Sequence, residues 1–487
     1  MPDVRASQNR GHMKIIDPFD FGVRGDGITD DRAALQAALN SAVAGDVVRL
    51  TKGNVRADGP YLLGNFDGSS CLNIPAGVAF SGTGGEQARL LAAPGIPGGV
   101  RIIDINAPDV TVSDLILDGN AANQPTPTEH MHGLMTRGAR TILSGVVATG
   151  CCGDGFYAYT GALSLAILDC MATLNGRHGI TLSGTWDHGI IKDSRLVDNK
   201  VNQIHTEAGL INYIVMLGNK ASKHEATDYM VTIGGISSAQ RSMHWDILEN
   251  QFDGGILVGW ADDIKIYDNK SNNTSARPCV TVQRTSKNIR IYRNDFTMEQ
   301  TTDQATGVIA VTGTAEGGPE RVIIEDNQLT ALGHPHSFGV RVEGAVSVQV
   351  MNNRIDGPGI NVAPTATDHG SRGSAGVYAR ATSPDRKFSS MIILNNHIRD
   401  FGQFGVSIMG NGAAEMTRLD VIGNVFDDGA AGTMMTGISL DPCIMDLTIG
   451  NNVLSGACIR ESPPDPSMQP GNEVPPRTFS PHRWIRS

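Results

Sequence analysis

The chain has 487 residues, including 58 Gly and 23 Pro, and its 39 basic against 50 acidic side chains give a formal charge of −11. A hydrophobic content of 40% excludes a disordered chain, and no apolar run approaches the ~18 residues of a membrane-spanning helix. The acidic balance argues against nucleic acid or an anionic membrane as partner, and Gly at about 12% without a triplet period indicates a turn-rich globular protein rather than collagen.

The first residues, MPDVRASQNRGHMKIID, hold no apolar stretch suited to a secretory signal, so the expected setting is cytoplasmic, phage-borne, or exported without a cleaved signal. Residues 1–16 read as an extension. TDDRAALQAALNSA at 29–42 predicts an amphipathic helix, with Thr29 as N-cap, acidic residues in the first turn and Leu35 and Leu39 on one face. Such a helix suits the open end of a repeat structure. Seven cysteines (Cys71, Cys151, Cys152, Cys170, Cys279, Cys443 and Cys458) show no framework spacing and are read as free thiols.

From residue 132 a short pattern returns: Gly, apolar, any, apolar. It runs through HGLMTRG, DGFYAYTG, HGITLSG, GGILVGW, FGVRVEG, AGVYAR, FGVSIMG and TGISLD. Gly133, Gly155, Gly179 and Gln203 follow at intervals of 22, 24 and 24 residues. In phase with it runs apolar-x-x-Asn, placing Asn199, Asn219, Asn250, Asn269, Asn294, Asn327, Asn353, Asn396, Asn424 and Asn451 at equivalent turns. Asn tolerates a left-handed backbone, and stacked turns would form an Asn ladder. The runs between are short and alternate with period two, as strands do. A two-dozen-residue repeat of strands cannot bury its own face, whereas stacking coil on coil does. The predicted architecture is an all-β, right-handed parallel β-helix over residues 17–458 as a single domain, with regular coils from about residue 100 and a Pro-rich tail at 459–487.

The segment FDFGVRGDGITDDRAALQAALNSA with VVRLTKG, and later LILDGN, resembles the pectate-lyase-like right-handed β-helix superfamily, which includes polysaccharide lyases, mannuronan epimerases, glycosidases and phage tailspikes. The resemblance implies a polysaccharide or oligosaccharide partner and a homotrimer; it does not imply one reaction. Where mannuronan epimerases carry Asp-Pro-His-Glu after a Gly-aromatic pair, this chain reads Tyr157-Ala158-Tyr159-Thr160 after Gly155-Phe156. The Asn-Thr-Asp and Gly-His-Gly of polygalacturonases are absent, RHG at 177–179 being a partial echo.

Strand alternation, with stacked coils ~4.8 Å apart, predicts three outward columns on the early coils. The first is His132, Asp154, His178 and Asn202; the second Met135, Tyr157, Thr181 and His205; the third Arg137, Tyr159, Ser183 and Glu207. The equivalent later positions are bland, and Arg341 with Glu343 reads as an ordinary exposed pair. The insertion GNAANQPTPTEHMH at 119–132 would wall the cleft. His205 is the leading acid–base candidate, and Tyr157 or Tyr159 could donate or accept a proton beside a cation. Asp154 beside His178 suggests an oriented imidazole, and Asp154 with Glu207 a carboxylate pair. Arg137 could bind a substrate carboxylate, with His130, His132, Arg177 and Trp186 as further substrate contacts. No cofactor is predicted; a divalent metal at His130 and His132 is the one alternative.

These residues point first to a carbohydrate-active enzyme that abstracts a proton from an acidic, uronate-containing polysaccharide, by β-elimination or epimerisation. A glycoside hydrolase or transglycosidase using the carboxylate pair, and a non-catalytic glycan-binding tailspike or adhesin, are the alternatives.

Overall fold

The computed structural model describes residues 13–51, 61–64, 70–83, 88–159, 163–207, 209–223, 229–275, 277–299, 306–332, 337–357, 374–380, 388–401, 403–409, 416–427, 436–440, 444–455, 458–461 and 485–486. The chain divides into two compact units, residues 1–203 and 204–487. Both are built from coils of a right-handed parallel β-helix, each coil placing one short strand in each of three parallel sheets.

In the first unit a representative coil is Leu134–Thr136, Thr141–Ser144 and Val147–Thr149. Leu134 pairs in register with Phe156, and Phe156 with Ile180, so successive coils superpose residue on residue. Three-sheet coils begin well before residue 100: Val47–Arg49, Ser70–Asn73, Ala79–Ser81 and Ala88–Ala92 already pair with the strands that follow. The period-two pattern was too weak there to show them. The helix spans Arg32–Ser41 and buries Leu35, Ala38 and Leu39. Its cap differs from expectation. Asp31 occupies the N-cap position without a side-chain cap bond. Its carboxylate instead accepts the backbone N–H groups of Arg24 (2.7 Å) and Gly25 (2.8 Å), while the Thr29 hydroxyl donates to Asp26 (2.8 Å). The acidic loop organises itself before it organises the helix.

The second unit repeats the coil, and its interior is a set of apolar stacks. One runs Ile247, Ile266, Ile291, Ile324, Val350, Ile393 and Val421, each paired in register with the next and fully buried. Burying such a side chain contributes about 1.5–3 kcal/mol relative to exposure.

Two columns explain the repeat seen in the sequence. Asn250 accepts the backbone N–H of Asn219 (2.9 Å) and its side-chain Nδ2 (2.9 Å) through one Oδ1, and donates its own Nδ2 to the Met216 carbonyl (2.9 Å). The same rung recurs through Asn269, Asn294, Asn327, Asn353, Asn396 and Asn424. The last rung is Asn452, not Asn451. Asn451 takes the left-handed backbone (φ 54°), as do Asp198, Gly218, Glu249, Asp268, Arg293, Asp326, Asn352, Asn395 and Gly423 before the other ladder asparagines. The strain thus sits one residue earlier than the Asn itself. The first unit holds a shorter ladder, in which Asn199 accepts from Asn175 (2.8 Å) and donates to Gln203 (2.6 Å).

The glycine column has a packing cause. A Cβ on Gly376 would stand 2.2 Å from Ile398 Cγ2, and one on Gly405 would stand 2.3 Å from Phe426 Cδ1. The missing side chain admits the core residue of the third sheet. Cys71, Cys151, Cys170 and Cys279 are free and buried and Cys152 is free and half-buried; Cys443 and the side chain of Cys458 lie outside the described residues. Burial pushes the thiols of Cys71, Cys170 and Cys279 up to about 12. Among the described residues no helix is long and apolar enough to cross a membrane. Of the expected Pro-rich tail, the described residues include only the end of the strand Cys458–Glu461 and the two-residue strand Ile485–Arg486.

Candidate functional site

The second sheet of the first unit carries Ser70–Asn73, Arg101–Ile105, Leu134–Thr136, Phe156–Ala158 and Ile180–Leu182. Register places Asp104, Met135, Tyr157 and Thr181 in one column across adjacent coils. Alternation put Met135, Tyr157 and Thr181 there from the sequence. Asp104 was missed, because the Gly-led pattern starts only at residue 132.

Tyr157 is the centre of this face. Its ring stacks on His132 (centroids 4.5 Å apart, 8° between planes) and lies 6.1 Å from Tyr159, which is 41% exposed. Arg137 Nη2 donates to Asp104 Oδ2 (3.0 Å), and its side chain stays partly open to solvent. Arg101, also missed, lies 4.0 Å from the same carboxylate oxygen and interacts electrostatically with Tyr157. Burial pulls the Arg101 guanidinium below its usual range, with Asp104 opposing and Arg137 adding to the shift. Asp104 Oδ1 and Thr181 Oγ1 are buried atoms without a hydrogen-bond partner among the described residues.

The first column is corrected. His132, Asp154, His178 and Asn202 are not outward; all are buried, Asp154 at 0% exposure. The reason is a ladder of caps. The N–H of Asp154 donates to His132 Nδ1 (3.0 Å), that of His178 to Asp154 Oδ1 (2.9 Å), and that of Asn202 to His178 Nδ1 (3.1 Å). Because Nδ1 of His132 accepts, it carries no proton, so its 3.5 Å approach to Asp154 Oδ2 is not an ion pair. Burial first, then Arg101, His130 and Arg177, hold this imidazole well below the ordinary histidine range and keep it neutral. His132 therefore positions Tyr157. Asp154 and His178 cap turns beneath the surface, each accepting a backbone N–H of the next coil.

The 119–132 insertion does reach the later coils. Glu129 approaches Arg177 Nε (3.7 Å), and Arg177 Nη1 approaches Asp154 Oδ2 (3.6 Å). His130 is exposed beside Glu129 (3.8 Å), its ring 6.2 Å from that of His132 and edge-on. Among the described residues no three His, Cys, Asp or Glu side chains converge as a metal site would require.

His205 and Glu207 fall in the second unit, where His205 Nδ1 shares a short hydrogen bond with Thr232 Oγ1. Trp186 begins the strand Trp186–Lys192, and its side chain lies outside the described residues.

The chain is a right-handed parallel β-helix, and part of its sequence is similar to known proteins. No family model matches it. Among curated proteins it is similar to Azotobacter vinelandii mannuronan C5-epimerases. It shares 31% identity with AlgE5 over 172 residues, 33% of this chain and 17% of the relative. Against AlgE1 it shares 36% over 111 residues, 21% of this chain and 8% of the relative. The matched stretch spans less than a third of the length of these relatives. Among solved structures the Azotobacter vinelandii AlgE6 A-module aligns with TM-score 0.46 and 17% identity over 92% of this chain and all of that one. The Streptococcus pneumoniae surface adhesin PfbA aligns with TM-score 0.41 and 11% identity over 94% of this chain and 97% of that one.

Proposed function

We propose that the chain acts on an acidic, uronate-containing polysaccharide by abstracting the ring proton next to the sugar carboxylate, with Tyr157 as the reacting group. The observation that carries this reading is the setting of Tyr157: a phenol stacked on a neutral, buried imidazole, on a sheet face that also bears Arg101, Arg137 and Asp104. Similarity to mannuronan epimerases over a third of the chain supports the substrate class.

The roles follow from chemical type. Arg137, partly exposed, pairs with the uronate carboxylate, and this charge stabilises the enolate that forms when the proton leaves. Arg101 favours the phenolate form of Tyr157 needed to take that proton. His132 fixes the ring plane. Asp104 orients Arg137. In elimination the C–H electrons form the ring double bond, the glycosidic C–O bond breaks, and its oxygen takes a proton. Tyr159 lies on the same face as Tyr157 and supplies that proton. A base and an acid on one side of the sugar fit elimination better than inversion of the carbon centre.

Asp154, the carboxylate on which a hydrolase reading depends, is fully buried and caps a turn. The test is incubation with a panel of uronate polysaccharides in deuterated water. Elimination gives unsaturated uronate ends, and epimerisation puts deuterium next to the carboxylate; either supports proton abstraction. New reducing ends without either product assign hydrolysis, and binding without turnover assigns a non-catalytic fibre.

A further inference from the structure

The second unit repeats the Tyr157 arrangement with different chemistry. Its second sheet includes Ser337–Glu343, Ala375–Arg380 and Phe404–Met409. Register puts Arg341 beside Tyr378 and Ser407, and Glu343 beside Arg380 and Met409. Tyr378 stacks on Phe338 of the preceding coil (4.7 Å, 23°), as Tyr157 stacks on His132 of its preceding coil. Both stacks join the residue before the column glycine to the phenol one coil on.

We infer that Arg341, Glu343, Tyr378 and Arg380 form a separate binding site for a carboxylate-bearing sugar. This rests on the acidic-polysaccharide reading of the first unit. An ordinary ion-paired rung accounts for Arg341 and Glu343, which bond at 2.9 Å. It does not account for the rest. Arg380 adds a second guanidinium next to the only carboxylate of the group, leaving one positive charge in excess. Among the described residues Arg380 forms no ion pair with a carboxylate, and it lies close enough to the Tyr378 phenol to act on it electrostatically, while that hydroxyl donates to Met409 Sδ (3.7 Å). Phe338, Ala375 and Tyr378 are buried together, and the partly buried Phe404 and Met409 packed against them offer the C–H face of a sugar an apolar surface. The polar groups above fit the other requirements: guanidinium for carboxylate, Glu343 for sugar hydroxyls.

This site binds and does not react. Burial first, then the Glu343 carboxylate, push the Tyr378 phenol above its usual range, so it stays protonated and donates. Phe338 stands where the first unit has an imidazole.

The test is calorimetric titration of the full chain with oligogalacturonate and oligomannuronate, and with their carboxyl-reduced counterparts. Two classes of site are expected for the acidic sugars. Arg380→Ala should weaken one class by about tenfold or more, a loss of ~1.4 kcal/mol or more, and leave the class abolished by Arg137→Ala. Arg380→Lys, which keeps the charge but not the fork, should weaken it less; this milder variant decides the matter if the unfolding midpoint of Arg380→Ala drops. A single class lost with Arg137→Ala and untouched by both Arg380 variants overturns the second site and leaves the first unit's reading intact. Equal binding of the reduced sugars at the Arg380-dependent class overturns the carboxylate assignment. No acidic-sugar binding at all overturns both.

Discussion

The residue just before the column glycine is His132, Asp154 and His178 in the first unit, but Phe338, Ala375 and Phe404 in the second. In the first unit these side chains cap the N–H groups of the next coil and support a phenol through a polar ring. In the second unit they form an apolar floor under the phenol. The glycines differ in the same sense. A Cβ on Gly155 would meet Asn175 Nδ2 and the Gly179 carbonyl oxygen at 2.8 Å and Ala172 Cβ at 3.1 Å, whereas one on Gly405 would meet Phe426 Cδ1 at 2.3 Å. One fold position thus supports two economies of packing: small core residues with polar caps, or large core residues with apolar ones. The polar version places titratable chemistry near Tyr157, and the apolar version builds a rigid platform.

The comparison is most exposed at Tyr157. Tyr157→Phe keeps the stack on His132 and removes the reacting oxygen, so turnover of the uronate polymer should fall by about 10²–10⁴-fold while binding persists. Unchanged turnover would break the assignment. In the second unit, Asn327→Ala deprives Asn294 of the acceptor for both its N–H and its Nδ2. The N–H is left unmet while Nδ2 keeps the Ile266 and Tyr292 carbonyls, so the loss in chemical denaturation should be about 1–3 kcal/mol. Gly405→Ala should destabilise by about 1–3 kcal/mol through overpacking against Phe426, and Gly155→Ala by less; the reverse order would refute the packing account of the glycine column.

The smallest effect concerns pH. His132 is held neutral in the fold, so its folded value lies below that of the unfolded chain. The unfolded state then binds the extra proton first, and stability is complete above about 6.5 and declines as pH falls below it. His132→Asn keeps an acceptor for the Asp154 N–H but cannot titrate, so its unfolding midpoint should vary less than that of the unmodified chain between neutral and mildly acidic pH. Equal slopes would mean that His132 does not govern the acid response.

Much of the fold was readable from the chain because two constraints recur: Asn at each rung and Gly at each strand entry. Nine of the ten ladder asparagines expected from the pattern occupy rungs. Asn451 misled because Asn is equally at home in the left-handed position before a rung. The columns of side chains were likewise readable, since register is set by strand period. Burial was not. Whether a polar residue beside a glycine faces water or caps the next coil depends on a hydrogen bond about two dozen residues away, as with His132 and Asp154. Arg101 and Asp104 escaped because their coil lacks the Gly signature, and Arg341 with Glu343 seemed bland because Tyr378 and Arg380 lie in the following coil.

The hydrogen bonds between coils run in opposite directions at the two turns. Between ladder asparagines an earlier coil donates to a later one, as Asn219 does to Asn250, while Asn250 Nδ2 reaches back to the Met216 carbonyl. In the His132–Asp154–His178 column the later coil donates to the earlier one. For a chain that leaves the ribosome from its N-terminus, the second arrangement offers a waiting acceptor to each incoming coil. The first leaves the newest coil incomplete until its successor emerges. Biosynthesis therefore meets a template along the capping column and an open, self-extending seam along the Asn ladder, where a stalled or truncated chain would end on an uncapped rung.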